Sequence, residues 1–170
     1  MSSHNTSLSA RFAIAIGLCL LVGGSLQFAF PVGLIFHTAP DLCLFTAVAV
    51  GLLLGPEAGA LTGFVGAYLI GANLPFSPGP IYLSHVLAGW FTGALRQRLF
   101  TDDLRVAAGA GSIAGLASEV LFFILNPLSP WQCVAGSIAQ TLYGLVAGPV
   151  IYLILRRFSL ASDEQEDMGL

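Results

Sequence analysis

Glycine recurs at every fourth residue within one long apolar stretch of this chain. Four of these glycines share one face of a predicted helix: Gly51, Gly55, Gly59 and Gly63. In water, each interior glycine costs a helix about 1 kcal/mol relative to alanine, so a solvent-facing helix is disfavoured. In lipid, small residues let two helix backbones approach closely. The pattern therefore predicts a membrane protein, with these four glycines at a helix-packing or partner interface.

The composition agrees with a membrane setting. Of the 170 residues, 56% are hydrophobic and only 9% are charged, whereas about 25% is usual in soluble domains. The chain contains no lysine, and its six arginines are dispersed, so we expect no nucleic-acid-binding face. The length predicts one bundle without a separate soluble domain. The three cysteines lie far apart in apolar segments and are expected to be buried free thiols.

Hydrophobic runs predict an all-α integral membrane protein with six transmembrane helices and both termini in the cytoplasm. The predicted spans are 12–30, 40–55, 58–72, 80–99, 104–125 and 131–155. Gly55-Pro56-Glu57 separates the second span from the third, and a single broken or re-entrant hairpin is the alternative there. The resulting organisation is a cytoplasmic N-terminus (1–11), a membrane domain (12–157) and an acidic cytoplasmic tail (158–170).

The arginines indicate the orientation of these spans. With a cytoplasmic N-terminus, every arginine lies in or beside a cytoplasmic segment: Arg11, Arg96, Arg98, Arg105, Arg156 and Arg157. The outer connections contain none, in agreement with the positive-inside rule. A five-span arrangement would instead place the last two arginines outside. The distribution therefore favours six spans.

Five polar side chains within or beside the apolar runs are candidates for function, because such residues are costly in lipid. They are Gln27, Asp41, His85, Glu119 and Gln140. The topology places them mainly in the outer half of the bundle, and we refer to them as the outward polar cluster. They form either interhelical hydrogen bonds or a pocket or docking surface open to the outside. Asp41 follows a proline at a helix start, where it can also offset the helix dipole.

The sequence contains no motif typical of an enzyme. It lacks a G-x-S-x-G elbow, an H-E-x-x-H helix and a G-K-[ST] phosphate loop. No serine has an identifiable base in the sequence. We therefore expect a non-enzymatic protein with no catalytic residue, no cofactor and no metal site.

The order of several motifs resembles the MreD family of bacterial rod shape-determining proteins over nearly the whole chain. The motifs are Leu26-Gln27, Pro40-Asp41-Leu42, Gly55-Pro-Glu-Ala-Gly59, Ala88-Gly89-Trp-Phe-Thr-Gly93-Ala-Leu-Arg96, Ala139-Gln140-Thr-Leu-Tyr143, and Pro149, Tyr152 and Arg156-Arg157. The resemblance implies an adaptor in the bacterial inner membrane for lateral peptidoglycan synthesis. Its implied partners are MreC-like, MreB-like, RodA-like and penicillin-binding elongation proteins. One departure is Gly71, which stands where that family often has an aspartate.

A second resemblance belongs to another functional class. The segment 51–61 is also similar to the substrate-binding S components of energy-coupling-factor vitamin transporters, which are six-helix proteins of similar length. In that alternative, the outward polar cluster would hold a small-molecule vitamin. The similarity ends near Pro75, and the glycine-rich outer segment of biotin binders is missing. The later motifs favour the shape-determining interpretation.

Overall fold

The structure is a computed structural model that describes residues 10–29, 35–36, 38–72, 78–96, 98, 103–126 and 129–167. This part of the chain contains six α-helices and one isolated bridge between Ile35 and Thr38. The helices are α1 (Ala10–Ala29), α2 (Leu42–Leu54), α3 (Pro56–Gly71), α4 (Gly79–Leu95), α5 (Leu104–Leu125) and α6 (Pro130–Asp167). The prediction of an all-α chain is confirmed, with one helix for each predicted apolar span.

A single residue separates α2 from α3. Gly55 has φ +106° and ψ −176°, a conformation that is essentially restricted to glycine. Pro56 then occupies the first turn of α3, where its missing N–H costs no hydrogen bond. Beyond this turn α3 packs back against α2. The two backbones are so close that a Cβ added to Gly59 would lie 2.7 Å from the Cα of Gly51. The predicted break at Gly55-Pro56-Glu57 is therefore a tight turn between two separate helices that pack against each other.

Helix α2 lies at the centre of the molecule. All residues from Cys43 to Leu52 are buried, and α2 packs against each of the other five helices. Its largest buried side chains include Phe45, Leu44 and Leu52. A helix enclosed on every side has no polar face to maintain, which explains why α2 is apolar all round its circumference.

Two glycine-rich contacts join the outer helices in pairs. Between α3 and α4, a side chain on Gly59 would overlap the carbonyl oxygen of Gly89. Between α5 and α6, a side chain on Gly144 would overlap the backbone of Gly111. We call these the α3–α4 seam and the α5–α6 seam. At both seams, helix backbones touch directly, as small residues allow.

The outward surface of the outer helices is largely apolar. Large exposed hydrophobic side chains occur on α1, α3, α4, α5 and α6, for example Ile14, Leu61, Phe91, Ile113 and Val146. By length and composition, two helices could cross a membrane: α5 and the Pro130–Ser159 part of α6. Phe12–Gln27 and Leu42–Leu54 are shorter apolar helices. The helical backbone of α6 continues to Asp167, into the segment predicted as the acidic tail.

Candidate functional site

A carboxylate and an imidazole meet where α2 begins. Asp41 is the N-cap of α2, and its Oδ1 accepts a hydrogen bond from the backbone N of Leu44 at 3.0 Å. The same oxygen lies 3.2 Å from Nε2 of His85 on α4. The side chain of His85 is 1% exposed and that of Asp41 is 13% exposed. Asp41 therefore caps one helix and joins it to a second.

Ser84 extends this pair. Its Oγ lies 3.2 Å from His85 Nδ1 and donates to the carbonyl oxygen of Ile81 at 3.0 Å. From the sequence, no base was predicted for any serine, although Ser84 directly precedes a histidine. The residues form a Ser–His–Asp chain, but Ser84 lies in the second turn of α4. Backbone N–H groups there bond within the helix, so they are not available to stabilise an oxyanion.

Helix α6 holds the segment that leads into α2. Gln140 Nε2 donates to the carbonyl of Ala39 at 2.8 Å, and its Oε1 accepts from the backbone N of Asp41 at 3.3 Å. One turn later, the hydroxyl of Tyr143 donates to Thr38 O at 2.9 Å and accepts from Ile35 N at 2.8 Å. Residues three apart share a helix face, which explains how two side chains of α6 fix one segment.

The structure brings together three of the five residues in the outward polar cluster. Asp41, His85 and Gln140 belong to one hydrogen-bond network. Glu119 lies outside it and packs on the α5–α6 seam, where a side chain on Gly136 would come within 2.8 Å of its carboxylate. The Oε1 of Gln27 is buried without a hydrogen-bond partner among the described residues.

Three of the four predicted interface glycines face α4. A side chain on Gly51 would lie 2.6 Å from Oγ1 of Thr92, and one on Gly63 would overlap the carbonyl of His85. Gly59 makes the contact with Gly89 described above. Gly55 differs, because a side chain there would meet nothing within 4 Å; its positive φ accounts for the glycine. The α3–α4 seam thus also fixes the backbone of His85.

A groove of about 650 Å³ lies between α4 and α5. Its lining is almost entirely apolar, with Phe91 and Leu95 from α4 and Ile113 and Leu121 from α5 among the larger side chains. Ser84 also borders it. The groove is therefore apolar, unlike the polar network, and Ser84 is a residue that contacts both.

No metal centre is apparent in the described ranges, since no group of three or more His, Cys, Asp or Glu side chains there could hold a metal ion. Searches for similar proteins found no matching family model, no matching curated protein and no matching solved structure.

Proposed function

We propose that this chain is a six-span protein of the bacterial inner membrane that serves as a non-enzymatic adaptor in the machinery for cell elongation. The observation that carries the proposal is that polar groups are bonded inside the bundle, while the outer surface is largely apolar. The polar groups of the central network bond to one another and to the backbone. The outer helices turn large apolar side chains outwards. Such a molecule interacts with its surroundings mainly through its apolar surface.

The apolar surface supports placement in a membrane. Soluble monomers rarely expose large contiguous apolar patches, yet large hydrophobic side chains are exposed on five helices of this chain. At the start of α6, Trp131 is 70% exposed, which suits an aromatic anchor at the outer membrane interface. The arginines near the opposite ends of α4 and α5 suit the cytoplasmic side.

The short central helix also fits this placement. Gln140 lies ten residues into α6, a rise of about 15 Å from Pro130, which is about half of a hydrocarbon core. Because Gln140 contacts Ala39 and Asp41, the segment before α2 reaches the same depth. Non-helical backbone is tolerated there only when protein encloses it and satisfies its polar groups. Gln140 and Tyr143 supply those hydrogen bonds.

The polar network favours the adaptor over a vitamin-binding S component. A ligand site needs a few convergent polar groups that are free to contact the ligand. Here Asp41 Oδ1 accepts from Leu44 and lies beside His85, while both ends of the Gln140 amide are engaged by the segment before α2. The order of motifs along the chain, described above, supports elongation proteins as the partners.

Gene deletion and partner recovery test the proposal. In a rod-shaped host, depletion of the protein is expected to give rounded or lysing cells, and the wild-type gene should restore rods. MreC-like and RodA-like proteins should co-purify with the tagged chain. Normal rod growth combined with loss of vitamin uptake would instead identify an S component, and binding of a vitamin by the purified protein would provide the direct biochemical evidence.

A further inference from the structure

We propose that the groove between α4 and α5 binds one anionic phospholipid, with an acyl chain along the groove and the phosphate at the arginine-rich end. This inference rests on the membrane placement in the proposed function and is independent of the elongation role. The groove lies between two helices that pack mainly on other partners, because α4 pairs with α3 and α5 pairs with α6.

The length of the groove suits an acyl chain. On α5 its lining extends from Val106 to Leu121, a rise of about 22 Å. The groove measures about 650 Å³. It is therefore long enough for an acyl chain that spans one leaflet, which is about 15 Å deep.

The lining chemistry agrees with a hydrocarbon occupant. The α5 wall is built largely from small residues, including Gly109, Ala110 and Ala117, which leave room beside Phe91 of α4. A side chain on Gly109 would meet nothing within 4 Å. An acyl chain needs no hydrogen-bond partners, whereas a polar ligand would leave its own groups unpaired in such a groove.

Charge complementarity identifies the class of headgroup. The groove ends at Leu95 on α4 and Val106 on α5, and Arg96 and Arg105 are the residues next to them in sequence. Both arginines are exposed, as is Arg98 in the connection. Asp103 is the described carboxylate nearby, and its Oδ1 accepts from the backbone N of Arg105. This end therefore attracts a phosphate monoanion, such as that of phosphatidylglycerol.

Native mass spectrometry of the purified full chain tests the lipid site. Dioleoyl phosphatidylglycerol and dioleoyl phosphatidylcholine, which differ in headgroup charge, would be titrated separately into detergent micelles. We expect one phosphatidylglycerol per chain to be retained preferentially. Replacing Arg96 and Arg105 together by Gln should weaken this binding about thirtyfold, since each arginine near an anionic headgroup contributes about fivefold in affinity. Binding of phosphatidylcholine should not change.

A matched pair of glycine variants tests the groove itself. An added Cβ at Gly109 meets nothing within 4 Å, so Gly109→Leu should extend its side chain into the groove and abolish retention of phosphatidylglycerol. Gly17→Leu on α1 is the control, because a side chain at Gly17 also meets nothing within 4 Å and lies outside the groove. Thermal unfolding of both variants verifies folding, and an unfolded Gly109→Leu protein leaves the double arginine variant as the deciding measurement.

The outcomes separate this inference from the proposed function. Equal retention of the two lipids, or equal loss of binding in Gly17→Leu and Gly109→Leu, would overturn the lipid site. If carbonate extraction removes the chain from membranes, the membrane placement itself fails. If the chain stays in the membrane and supports rod growth but shows no preference for phosphatidylglycerol, only the lipid site fails.

Discussion

At the residue scale, Asp41 has two structural roles. Its carboxylate caps α2 and contacts a histidine that is almost completely buried. Removing one member of a buried hydrogen-bonded pair leaves the other without a partner, and this usually costs more than the bond itself contributes. The sequence predicted from the preceding proline that Asp41 lies at a helix start and offsets the helix dipole, and the structure places it as the N-cap of α2. The sequence could not predict the contact with His85, because the two residues lie 44 positions apart.

Two substitutions of Asp41 test its contacts with α2 and with His85. Asp41→Ala removes the cap, worth about 1 kcal/mol, and leaves the His85 ring nitrogen unpaired, worth about 1–3 kcal/mol. We expect a total loss of about 2–4 kcal/mol in the free energy of unfolding. Asp41→Asn retains a good capping acceptor and should lose about 1 kcal/mol or less. Unfolding of the purified proteins in detergent measures both, and a loss of only about 1 kcal/mol for Asp41→Ala, the contribution of the cap alone, would contradict the pairing with His85.

At the element scale, glycine spacing determines which helix faces can touch. The α3–α4 seam uses Gly59 and Gly89, and the α5–α6 seam uses Gly111 and Gly144. From the sequence, packing glycines were predicted only for the α3–α4 seam, and there only on α3. Gly111-x-x-x-Gly115 and Gly144-x-x-x-Gly148 carry the same four-residue spacing, so a signal for the second seam was present. The spacing alone does not specify which two faces meet.

The seams can be tested with the smallest possible side chain. Gly59→Ala and Gly144→Ala each place a methyl group against the backbone of the neighbouring helix. Since backbone atoms cannot move aside as a flexible side chain can, we expect each variant to lose about 1–3 kcal/mol of stability. The measurement is again unfolding in detergent.

Gly17→Ala is the control for these variants, because the added methyl group meets no neighbour within 4 Å. It should be neutral or stabilise α1 by up to about 1 kcal/mol, as alanine has the higher helix propensity. If all three alanine variants behave alike, direct backbone contact at the seams is wrong.

The helices themselves were largely predictable from the sequence. Apolar runs and the Gly55-Pro56 break located all six, and α5 matches its predicted span of 104–125. The site was less accessible to prediction. Gln140 and Tyr143 occur together in the sequence, but their common partner is a segment about 100 residues earlier. Gly55 has the same four-residue spacing as the packing glycines, but its role is to adopt a positive φ in the turn. Spacing alone cannot distinguish a packing glycine from a turn glycine.

At the scale of the whole molecule, the bundle has an internal polar network and a largely apolar periphery. The central network joins α2, α4 and α6, and the glycine seams join the outer helices in pairs. Helix α1 lies outside the seams and the network and packs through apolar side chains such as Phe12 and Leu20. This organisation leaves the apolar periphery free to contact lipid or a partner helix.

Cysteine labelling tests the proposed six-span topology. In a background with Cys19, Cys43 and Cys133 replaced by Ala, a single cysteine would be introduced at Glu57, Arg98 or Ser129, all of which are exposed. A membrane-impermeant maleimide should label position 129 in intact spheroplasts. Positions 57 and 98 should react only in inside-out vesicles. Labelling of position 57 from the same side as position 129 would instead indicate that α2 and α3 form a re-entrant hairpin.

The enclosure of α2 has a consequence for biogenesis. Its 13 residues extend about 20 Å, which is too short to cross a hydrocarbon core of about 30 Å alone. Asp41 at its start also lacks its histidine partner until α4 has been synthesised. With the proposed membrane placement, we therefore expect α2 not to enter lipid as an independent segment, but to remain with the insertion machinery until α3 and α4 have been synthesised.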